Sequence, residues 1–262
     1  MAADFAGETA LLYARYRRDL PADQTRALVE HLGLRADDVV VDLGCGTGQL
    51  AVPVREHCAG VLALDPEPGM LAGLRAGDVP GILCVLGTDR DLPELRRRLT
   101  DRVGVGAVLI GNALHWMDEP AALAGCADLL RPGGRIAVIT QGPPMWLGPA
   151  AWQQSVRQVL ERFFGPVSAT CGSDSAALQL RVGTLEELGL DVQVATWRAE
   201  HDVDADWVIG HLGSALPAGA LQVRTPGGPA DAVGTALDQH AGPLVEAVTT
   251  TAVIARRPTK AA

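Results

Sequence analysis

The fold of this chain is predicted chiefly from one stretch, Val39-Val40-Val41-Asp42-Leu43-Gly44-Cys45-Gly46-Thr47-Gly48-Gln49-Leu50. Its apolar first part, Val39–Leu43, predicts a buried parallel strand, and its three glycines predict a sharp turn into a helix expected from Leu50 to Cys58. Glycine tolerates unusual backbone angles and has no Cβ to keep a ligand away from the backbone. A turn of this kind at the carboxyl end of a strand lies beside the crevice where α/β sheets bind nucleotide-like ligands. Asp42 stands out, because a buried carboxylate costs free energy unless an ammonium group or backbone donors pair with it.

The order of the glycines limits which ligand this turn could bind. A phosphate-binding P-loop has a lysine after its last glycine, and none follows here. The dinucleotide fingerprint is G-x-G-x-x-G, whereas the third glycine here is Gly48, so an NAD-linked dehydrogenase is disfavoured. The order G-x-G-x-G, with Asp42 two residues before the first glycine, resembles the first motif of class I S-adenosylmethionine-dependent methyltransferases.

Length and charge narrow the class of protein. The chain has 262 residues, 48% of them hydrophobic, and a formal net charge of -9. This length suits one α/β domain with an elaboration, or two small domains. The acidic balance argues against a nucleic-acid partner, because binding to a phosphate backbone depends on basic surfaces. The run Arg96-Arg97-Arg98 is interpreted as a solvated helix face.

The cysteines and the apolar runs give expectations about compartment. Five cysteines are scattered without a C-x-x-C pair, so we expect reduced, mostly buried thiols and no metal site. Residues Met1–Phe5 show no basic region followed by an apolar core, so no signal peptide is expected. No apolar run approaches the roughly 20 residues of a membrane span. We therefore expect a cytoplasmic protein without a membrane partner, present as a monomer or homodimer.

A second acid follows the next predicted strand. Asp65 ends the apolar run Val61–Leu64, at the roughly 20-residue spacing from a glycine turn where an acid accepts hydrogen bonds from ribose hydroxyls. The alternative role is a helix N-cap, because Pro66 suits the first turn of a helix. Met70 lies one turn further on and either packs against adenine or belongs to the core.

The third predicted strand, Ile82 to Leu86, leads into Gly87-Thr88-Asp89. This segment resembles one in which the methyltransferase family usually places an acid directly after the glycine, to bond the adenine amino group. Thr88 occupies that place here, and Asp89 is displaced by one residue. Asp89 is the candidate adenine contact, and a solvated turn acid is the alternative.

The fourth predicted strand, Val103 to Gly111, ends in Asn112-Ala113-Leu114-His115-Trp116. The carboxyl ends of central strands converge on the ligand crevice, so His115 and Trp116 are expected beside the glycine turn. The segment resembles the "ALHW" segment of small-molecule methyltransferases related to the trans-aconitate and ubiquinone-pathway enzymes. The later turn Leu130-Arg131-Pro132-Gly133-Gly134 also resembles a family marker, although a helix stop and a tight turn explain it without any ligand.

Segments outside this core are expected to cover it. The stretch from Phe5 to about Leu20, within the first predicted segment 1–140, places Tyr13 and Tyr16 on one helical face. That helix either covers the sheet or acts as a lid over the ligand. Residues 141–182 lose the periodicity of the core and are interpreted as an inserted cap.

The last predicted segment, 183–262, returns to the core. It is expected to contain a short helix from Thr184 to Leu188, a strand from Asp191 to Glu200 and a second cap helix over Asp204–Ser214. An antiparallel edge strand, Glu246–Arg256, is expected to complete the sheet, within a single domain for the whole chain.

The resemblance to class I methyltransferases implies a Rossmann-like α/β fold, with a seven-stranded, mostly parallel sheet, helices on both faces and, here, a helical cap insertion. It also implies S-adenosyl-L-methionine as the cofactor and S-adenosyl-L-homocysteine as its product. The glycine turn would hold the methionine moiety, and the ends of the second and third strands would hold the adenosine. The implied cofactor residues are Asp42, Gly44, Cys45, Gly46, Gln49, Asp65, Pro66, Met70, Thr88, Asp89, Asn112 and Tyr16.

Methyl transfer mainly requires that the acceptor lie in line with the methyl carbon, and positioning of this kind supplies roughly 7–11 kcal/mol in well-oriented systems. A general base adds about 10²–10⁴-fold when the acceptor carries a proton. His115 is the first candidate base and His211 the second, and a structural role is the alternative for each. Aromatic side chains are candidate substrate contacts, with simple packing as the alternative: Tyr13, Trp116, Trp146, Trp152 and Trp207.

The predicted function is therefore transfer of a methyl group to an O, N or C acceptor on a small organic molecule. Two other classes stay open. One is an enzyme that binds S-adenosylmethionine but catalyses a different biosynthetic reaction, because fold does not dictate chemistry. The other is a non-catalytic binding subunit, against which the intact glycine turn, the acids and residues 112–116 argue.

Overall fold

The computed structural model describes residues 7–99, 104–168, 170–216, 219–221 and 225–259. Phe5 and Val103, where two predicted elements begin, lie outside these ranges, as does the Met1–Phe5 segment. Within the described residues, none of the helices combines the length and apolar character that crossing a membrane requires.

Seven strands form one sheet in the described chain, in the order β3-β2-β1-β4-β5-β7-β6. Strand β1 pairs in parallel with β2 and β4, β2 pairs in parallel with β3, and β4 pairs in parallel with β5, whereas β7 runs antiparallel to β5. The predicted seven-stranded, mostly parallel α/β fold is thereby confirmed. The strands are β1 Val39–Leu43, β2 Gly60–Asp65, β3 Ile82–Leu86, β4 Val105–Gly111, β5 Leu130–Gln141, β6 Asp191–Val203 and β7 Leu244–Arg256.

Helices connect the strands, and the alternation of side chains along β1 shows that they cover both faces. Val40 belongs to an apolar cluster with α2, α3 and α4. Val41 and Leu43 belong to a second cluster with α5, α6 and α8. Because successive side chains of a strand point to opposite faces, these clusters are the two cores on either side of the sheet. The helices are α1 Glu8–Tyr16, α2 Ala22–Leu32, α3 Ala51–Val54, α4 Pro68–Ala76, α5 Leu92–Leu99, α6 Glu119–Leu129, α7 Ala151–Phe164, α8 Ser175–Glu187, α9 Ala205–Ala215 and α10 Pro229–Asp238.

The chain divides into two compact units. The sheet unit comprises residues 18–141, 172–197 and 250–262. The helical unit comprises residues 1–17, 142–171 and 198–249, and its apolar core contains side chains from α7, α9 and α10. The expected division at residues 140 and 182 stays a proposal.

Three expectations about individual elements were wrong. The last strand, β7, is not at an edge, because it lies between β5 and β6. Its residues Ala252–Ala255 are buried, and such a continuous apolar run is typical of an interior strand. The short helix expected from Thr184 is the longer α8, which begins after Asp174, whose carboxylate accepts a hydrogen bond from the Ala177 N–H and so caps the first turn.

The helix after the glycine turn is also shorter than expected. Helix α3 covers only Ala51–Val54, and a 3₁₀ turn, Arg55–His57, follows it. The Arg55 side chain donates hydrogen bonds to the carbonyls of Cys58 and Pro80. These bonds hold the segment against the loop before β3.

Candidate cofactor site

The glycine turn at the end of β1 has the backbone geometry expected from the sequence. Gly44, Gly46 and Gly48 have φ angles of 70°, 54° and 99°, a region that other residues rarely adopt. A Cβ on Gly44 would lie 2.6 Å from the Cβ of Ala113, just beyond β4. The turn is therefore held closely against the segment that follows β4.

The turn is also fixed to the end of β2. The backbone N–H groups of Gly44 and Cys45 both donate to the Leu64 carbonyl, at 2.8 and 2.9 Å. The Asp65 carboxylate accepts hydrogen bonds from the N–H groups of Gly46 and Glu67, each at 2.9 Å. Burial raises the pKa of Asp65, although these two hydrogen bonds act in the opposite direction. Each carboxylate oxygen retains a lone pair for a further donor.

Asp65 is not the N-cap of α4, because Glu67 occupies that position. Pro66 is exposed beside it, and Met70 in α4 is buried. The carboxylate therefore fixes the glycine turn, which is a role that the sequence did not predict.

Asp42 has an unsatisfied carboxylate. Its side chain is 1% exposed, and no described residue forms a hydrogen bond with Oδ2. Burial and the nearby charge of Asp65 raise the pKa of Asp42 to about 7, while a hydrogen bond from the Ala51 backbone acts against that rise. A buried acceptor without a donor is costly. The site is thus suited to a ligand that brings a cationic hydrogen-bond donor.

Two other side chains of the turn make internal contacts. The Gln49 side-chain amide donates to the Thr47 hydroxyl at 2.7 Å. The Cys45 thiol is buried, and burial together with the charge of Asp42 raises the pKa of Cys45. This cysteine is consequently a packing residue rather than a reactive thiol.

Asn112 adopts a left-handed backbone conformation at the end of β4, with a φ of 50°. Its N–H donates to the Ile139 carbonyl, and its Oδ1 accepts from the Gln141 N–H, both at 2.9 Å. Asparagine tolerates this conformation better than most residues. The side chain thus links the ends of β4 and β5, and strained backbone of this kind is often found at functional sites.

The loop after β3 joins the same edge of the sheet. The Gly87 N–H donates to the Asp65 backbone carbonyl at 3.2 Å. Thr88 caps the 3₁₀ turn Asp89–Asp91, since its hydroxyl accepts from the Arg90 N–H at 3.2 Å, and the Asp91 carboxylate accepts from the Thr88 N–H at 2.8 Å. Asp91 is the acid with a clear structural role here, whereas Asp89 is half-buried and keeps its predicted role as a proposal.

His115 lies in a 3₁₀ turn, Leu114–Trp116, directly after Asn112 and Ala113. Its ring centroid lies 4.8 Å from that of Trp116, whose side chain is 54% exposed. Burial and the Arg181 charge lower the pKa of His115, and Glu119 opposes them. The imidazole is therefore neutral at neutral pH and able to accept a proton. Sequence reasoning missed Glu119 and Arg181, because their proximity depends on the packing of α8 beside α6.

The remaining predicted residues belong to the helical unit. The Tyr16 ring packs over Gly210, where a Cβ would overlap it. His211 Nδ1 lies 3.3 Å from the Tyr16 carbonyl, and the ring centroids of Trp207 and His211 are 4.8 Å apart. The Arg17 guanidinium lies 5.0 Å from the centroid of the Tyr13 ring. These contacts join α1 to α9, and the binding and base roles of Tyr13, Tyr16, Trp207 and His211 stay predictions.

Trp146 and Trp152 are buried in the apolar core of the helical unit. Their indole N–H groups donate to the carbonyls of Val167 and Val245, at 3.1 and 3.2 Å. A buried indole with its donor satisfied is typical of core packing. The packing alternative is therefore favoured for these two residues, and their substrate contact stays a prediction.

Comparison with known proteins agrees with this geometry. A profile described as "Methyltransferase domain" matches residues 41–138, which contain the acids Asp42 and Asp65 and the His115 segment. Residues 41–138 are therefore similar to a methyltransferase domain. The chain is 34% identical over 161 residues to an uncharacterised methyltransferase of Mycobacterium tuberculosis, an alignment that covers 62% of this chain and 60% of that protein.

A second relative has a named substrate. Trans-aconitate 2-methyltransferase of Mycobacterium tuberculosis is 35% identical over 118 residues, which cover 44% of this chain and 41% of that enzyme. The chain thus spans at most about 60% of the length of these curated relatives.

Solved structures support the fold alone. The YcgJ protein of Bacillus subtilis has a TM-score of 0.57 and 15% identity, with 90% of this chain and 98% of that chain covered. A candidate type II methyltransferase of Anaeromyxobacter dehalogenans has a TM-score of 0.57 and 23% identity, with 93% and 99% covered.

Proposed function

We propose that this protein transfers a methyl group from S-adenosylmethionine to an O, N or C acceptor on a small organic molecule. The observation that carries the proposal is the buried, half-satisfied carboxylate of Asp42 beside the glycine turn. The similarity of residues 41–138 to a methyltransferase domain supports it. A cytoplasmic location, a role in biosynthesis, and a monomeric or homodimeric state stay predictions.

The residues at the carboxyl edge of the sheet fit S-adenosylmethionine. The ligand's ammonium group would supply the donor that Asp42 Oδ2 lacks. The glycines would allow the methionine portion to approach the backbone. Asp65 would accept hydrogen bonds from the ribose hydroxyls through its remaining lone pairs. Thr88, Asp89 and Met70 are the proposed adenine contacts, and Asn112 the proposed backbone contact near the sulfur.

When bound, S-adenosylmethionine supplies an electrophilic methyl group whose sulfur is a good leaving group. The chain's own contribution is then to position the methyl acceptor and to remove its proton. The fixed turns around Gly44 and Asn112 hold the site in one geometry, and orientation of this kind is worth roughly 7–11 kcal/mol in well-oriented systems. For a hydroxyl acceptor, an imidazole nitrogen of neutral His115 would take the proton as the new bond to the methyl carbon forms. An ammonium acceptor would first lose a proton to that nitrogen, which frees the lone pair that attacks the methyl carbon.

Binding and chemistry are tested separately. Calorimetry with S-adenosylhomocysteine should show stoichiometric binding by the wild-type protein and strongly weakened binding by Asp65→Ala. Incubation with methyl-labelled S-adenosylmethionine and trans-aconitate, the substrate named for one relative, then probes transfer to a small carboxylic acid.

The outcomes distinguish the competing classes. A labelled product from trans-aconitate or another small molecule supports methyl transfer. Binding with the ligand intact and no labelled product from a broad panel of small acceptors would favour an enzyme of different chemistry. Absence of binding would favour a non-catalytic subunit and overturn the proposal.

A further inference from the structure

Arg181 is a buried cation outside the residues that the sequence singled out. It lies on α8 with its side chain 3% exposed. Its Nε and Nη2 donate to the two carboxylate oxygens of Glu119, at 3.3 and 3.1 Å. Its Nη1 donates to the Gly172 carbonyl at 2.7 Å. Glu119 is 24% exposed, but burial of the guanidinium still costs desolvation energy that a well-packed apolar residue would not, so its presence calls for a reason other than stability.

Both partners of Arg181 adjoin His115. Glu119 is the first residue of α6 and follows His115 by four positions. Gly172 has a φ of +73°, and a Cβ built on it would lie 3.6 Å from the His115 Cβ and overlap the Arg181 guanidinium. Only a glycine fits between these two side chains. The guanidinium therefore fixes both the start of α6 and the backbone that packs on His115.

Two charged side chains near His115 shift its pKa in opposite directions. Two charged groups of the described residues act on its pKa, Arg181 from α8 and Glu119 from α6. Burial has the largest effect and lowers the pKa, Arg181 lowers it further, and Glu119 raises it. The hydrogen bonds between the two charges keep the carboxylate directed at Arg181.

We propose that Arg181 is a positioning residue, which holds Glu119 and the Gly172 backbone beside His115 so that this imidazole can serve as the proton acceptor. This inference deepens the proposed methyl transfer and rests on it for the role of His115. The arrangement around the ring is independent of which acceptor binds.

The test is a pH titration of His115 in the ligand-free protein, monitored by NMR through the imidazole C–H signals. The signals of His115 are assigned from their loss in His115→Gln. Arg181→Met should raise the pKa of His115, because the neighbouring carboxylate then acts alone. Glu119→Gln should lower it, because the cation then acts alone. The double variant, Arg181→Met with Glu119→Gln, buries no unpaired charge. The pKa of His115 in this variant should fall between the pKa values in the two single variants.

The matched control is Arg131→Met. Arg131 likewise pairs with a carboxylate, that of Asp38, which is buried and lies next to the amino ends of β1 and β4. Its loss should destabilise the fold without moving the pKa of His115. A role for Arg181 in stability alone would give the same result as this control.

Activity adds a second readout. If His115 is the base, Arg181→Met should move the acid limb of the kcat–pH profile upward and lower kcat at pH 7 by about 10-fold or less, below the roughly 10²–10⁴-fold cost of losing a base. The affinity for S-adenosylhomocysteine should not change. The inference is wrong if the pKa of His115 stays constant, or shifts the same way, in both single variants. Failure of the proposed function would be seen separately: the pKa of His115 would still shift in opposite directions in the two single variants, but the protein would transfer no methyl group.

Discussion

Replacing Asp42 by asparagine is expected to remove one pH dependence of folding and to weaken ligand binding. Asparagine keeps the shape of the side chain and can still accept the hydrogen bond from the Ala51 backbone. It cannot ionise, so it never places an unpaired negative charge in the core. The substitution therefore isolates the charge of this buried carboxyl group.

The magnitude follows from the raised pKa. Burial, chiefly, and the charge of Asp65 raise the pKa of Asp42 from 3.8 to about 7, a difference of about three units or about 4 kcal/mol. The folded state binds this proton more tightly than the unfolded chain. The stabilisation is therefore complete below pH 3.8 and is lost as the pH rises through about 7. Between pH 6 and pH 8 the ligand-free wild-type protein should lose about 1 kcal/mol through this group.

Urea denaturation at pH 6, 7 and 8 measures this loss as the change in the free energy of unfolding. Asp42→Asn should lack it, and should be more stable than the wild type at pH 8. Asp38→Asn is the matched control. Burial raises the pKa of Asp38, but the hydrogen bonds and charge of Arg131 outweigh that effect and hold the pKa below its usual value. Asp38 is therefore ionised throughout this range, and its variant should keep the wild-type pH dependence.

Calorimetry with S-adenosylhomocysteine gives the second half of the prediction. The ionised fraction of Asp42 rises from about one tenth to about nine tenths between pH 6 and pH 8, so wild-type affinity should rise by up to about 10-fold. Asp42→Asn should bind about 10–100-fold more weakly at pH 8, without that pH dependence. Equal affinity and an equal pH dependence of stability in the two proteins would refute the assignment of Asp42 as the ammonium partner.

Three further substitutions test other parts of the site. Asp65→Ala should weaken S-adenosylhomocysteine binding by about 10-fold or more, since it removes both the proposed ribose acceptor and the contact that fixes the turn; unchanged calorimetric affinity would contradict this role. His115→Ala should lower kcat by about 10²–10⁴-fold with ligand affinity nearly unchanged, and an equal loss of both would exclude it as the base. Gly44→Ala should destabilise the protein by about 1–3 kcal/mol more than Gly189→Ala, because both glycines have positive φ but only Gly44 faces a close neighbour, Ala113. Chemical denaturation of the two variants decides this last point.

The strands and the positions of the candidate site residues at their ends could be predicted because they depend on local patterns. The run Val39–Leu43 is apolar and short, so its strand was predicted with the bounds that the structure has. Asn112 and Asp65 could be singled out as candidates because each lies at the carboxyl end of a strand. Helix α8 was predicted too short, because its apolar residues do not follow one clear face and Gly183 interrupts the pattern.

The charged network behind His115 could not be predicted from the sequence. Arg181 lies 62 residues from Glu119 along the chain, and a lone arginine in a helix is ordinarily interpreted as exposed. The burial of Trp146 and Trp152 likewise depends on which helix faces pack together in the helical unit. Sequence composition left packing and substrate contact equally open for these indoles.

Taken alone, the sequence determined the parallel sheet, the glycine turn and the acids at the strand ends, because backbone conformation and the alternation of apolar residues are set by near neighbours in the chain. Tertiary structure alone decided that Asp42 is buried with one oxygen unsatisfied, that Asp65 fixes the turn, and that Arg181 adjoins His115. These properties depend on burial and on distances between residues far apart in the chain. Such distances shift pKa values and select hydrogen-bond partners, and no local pattern encodes them.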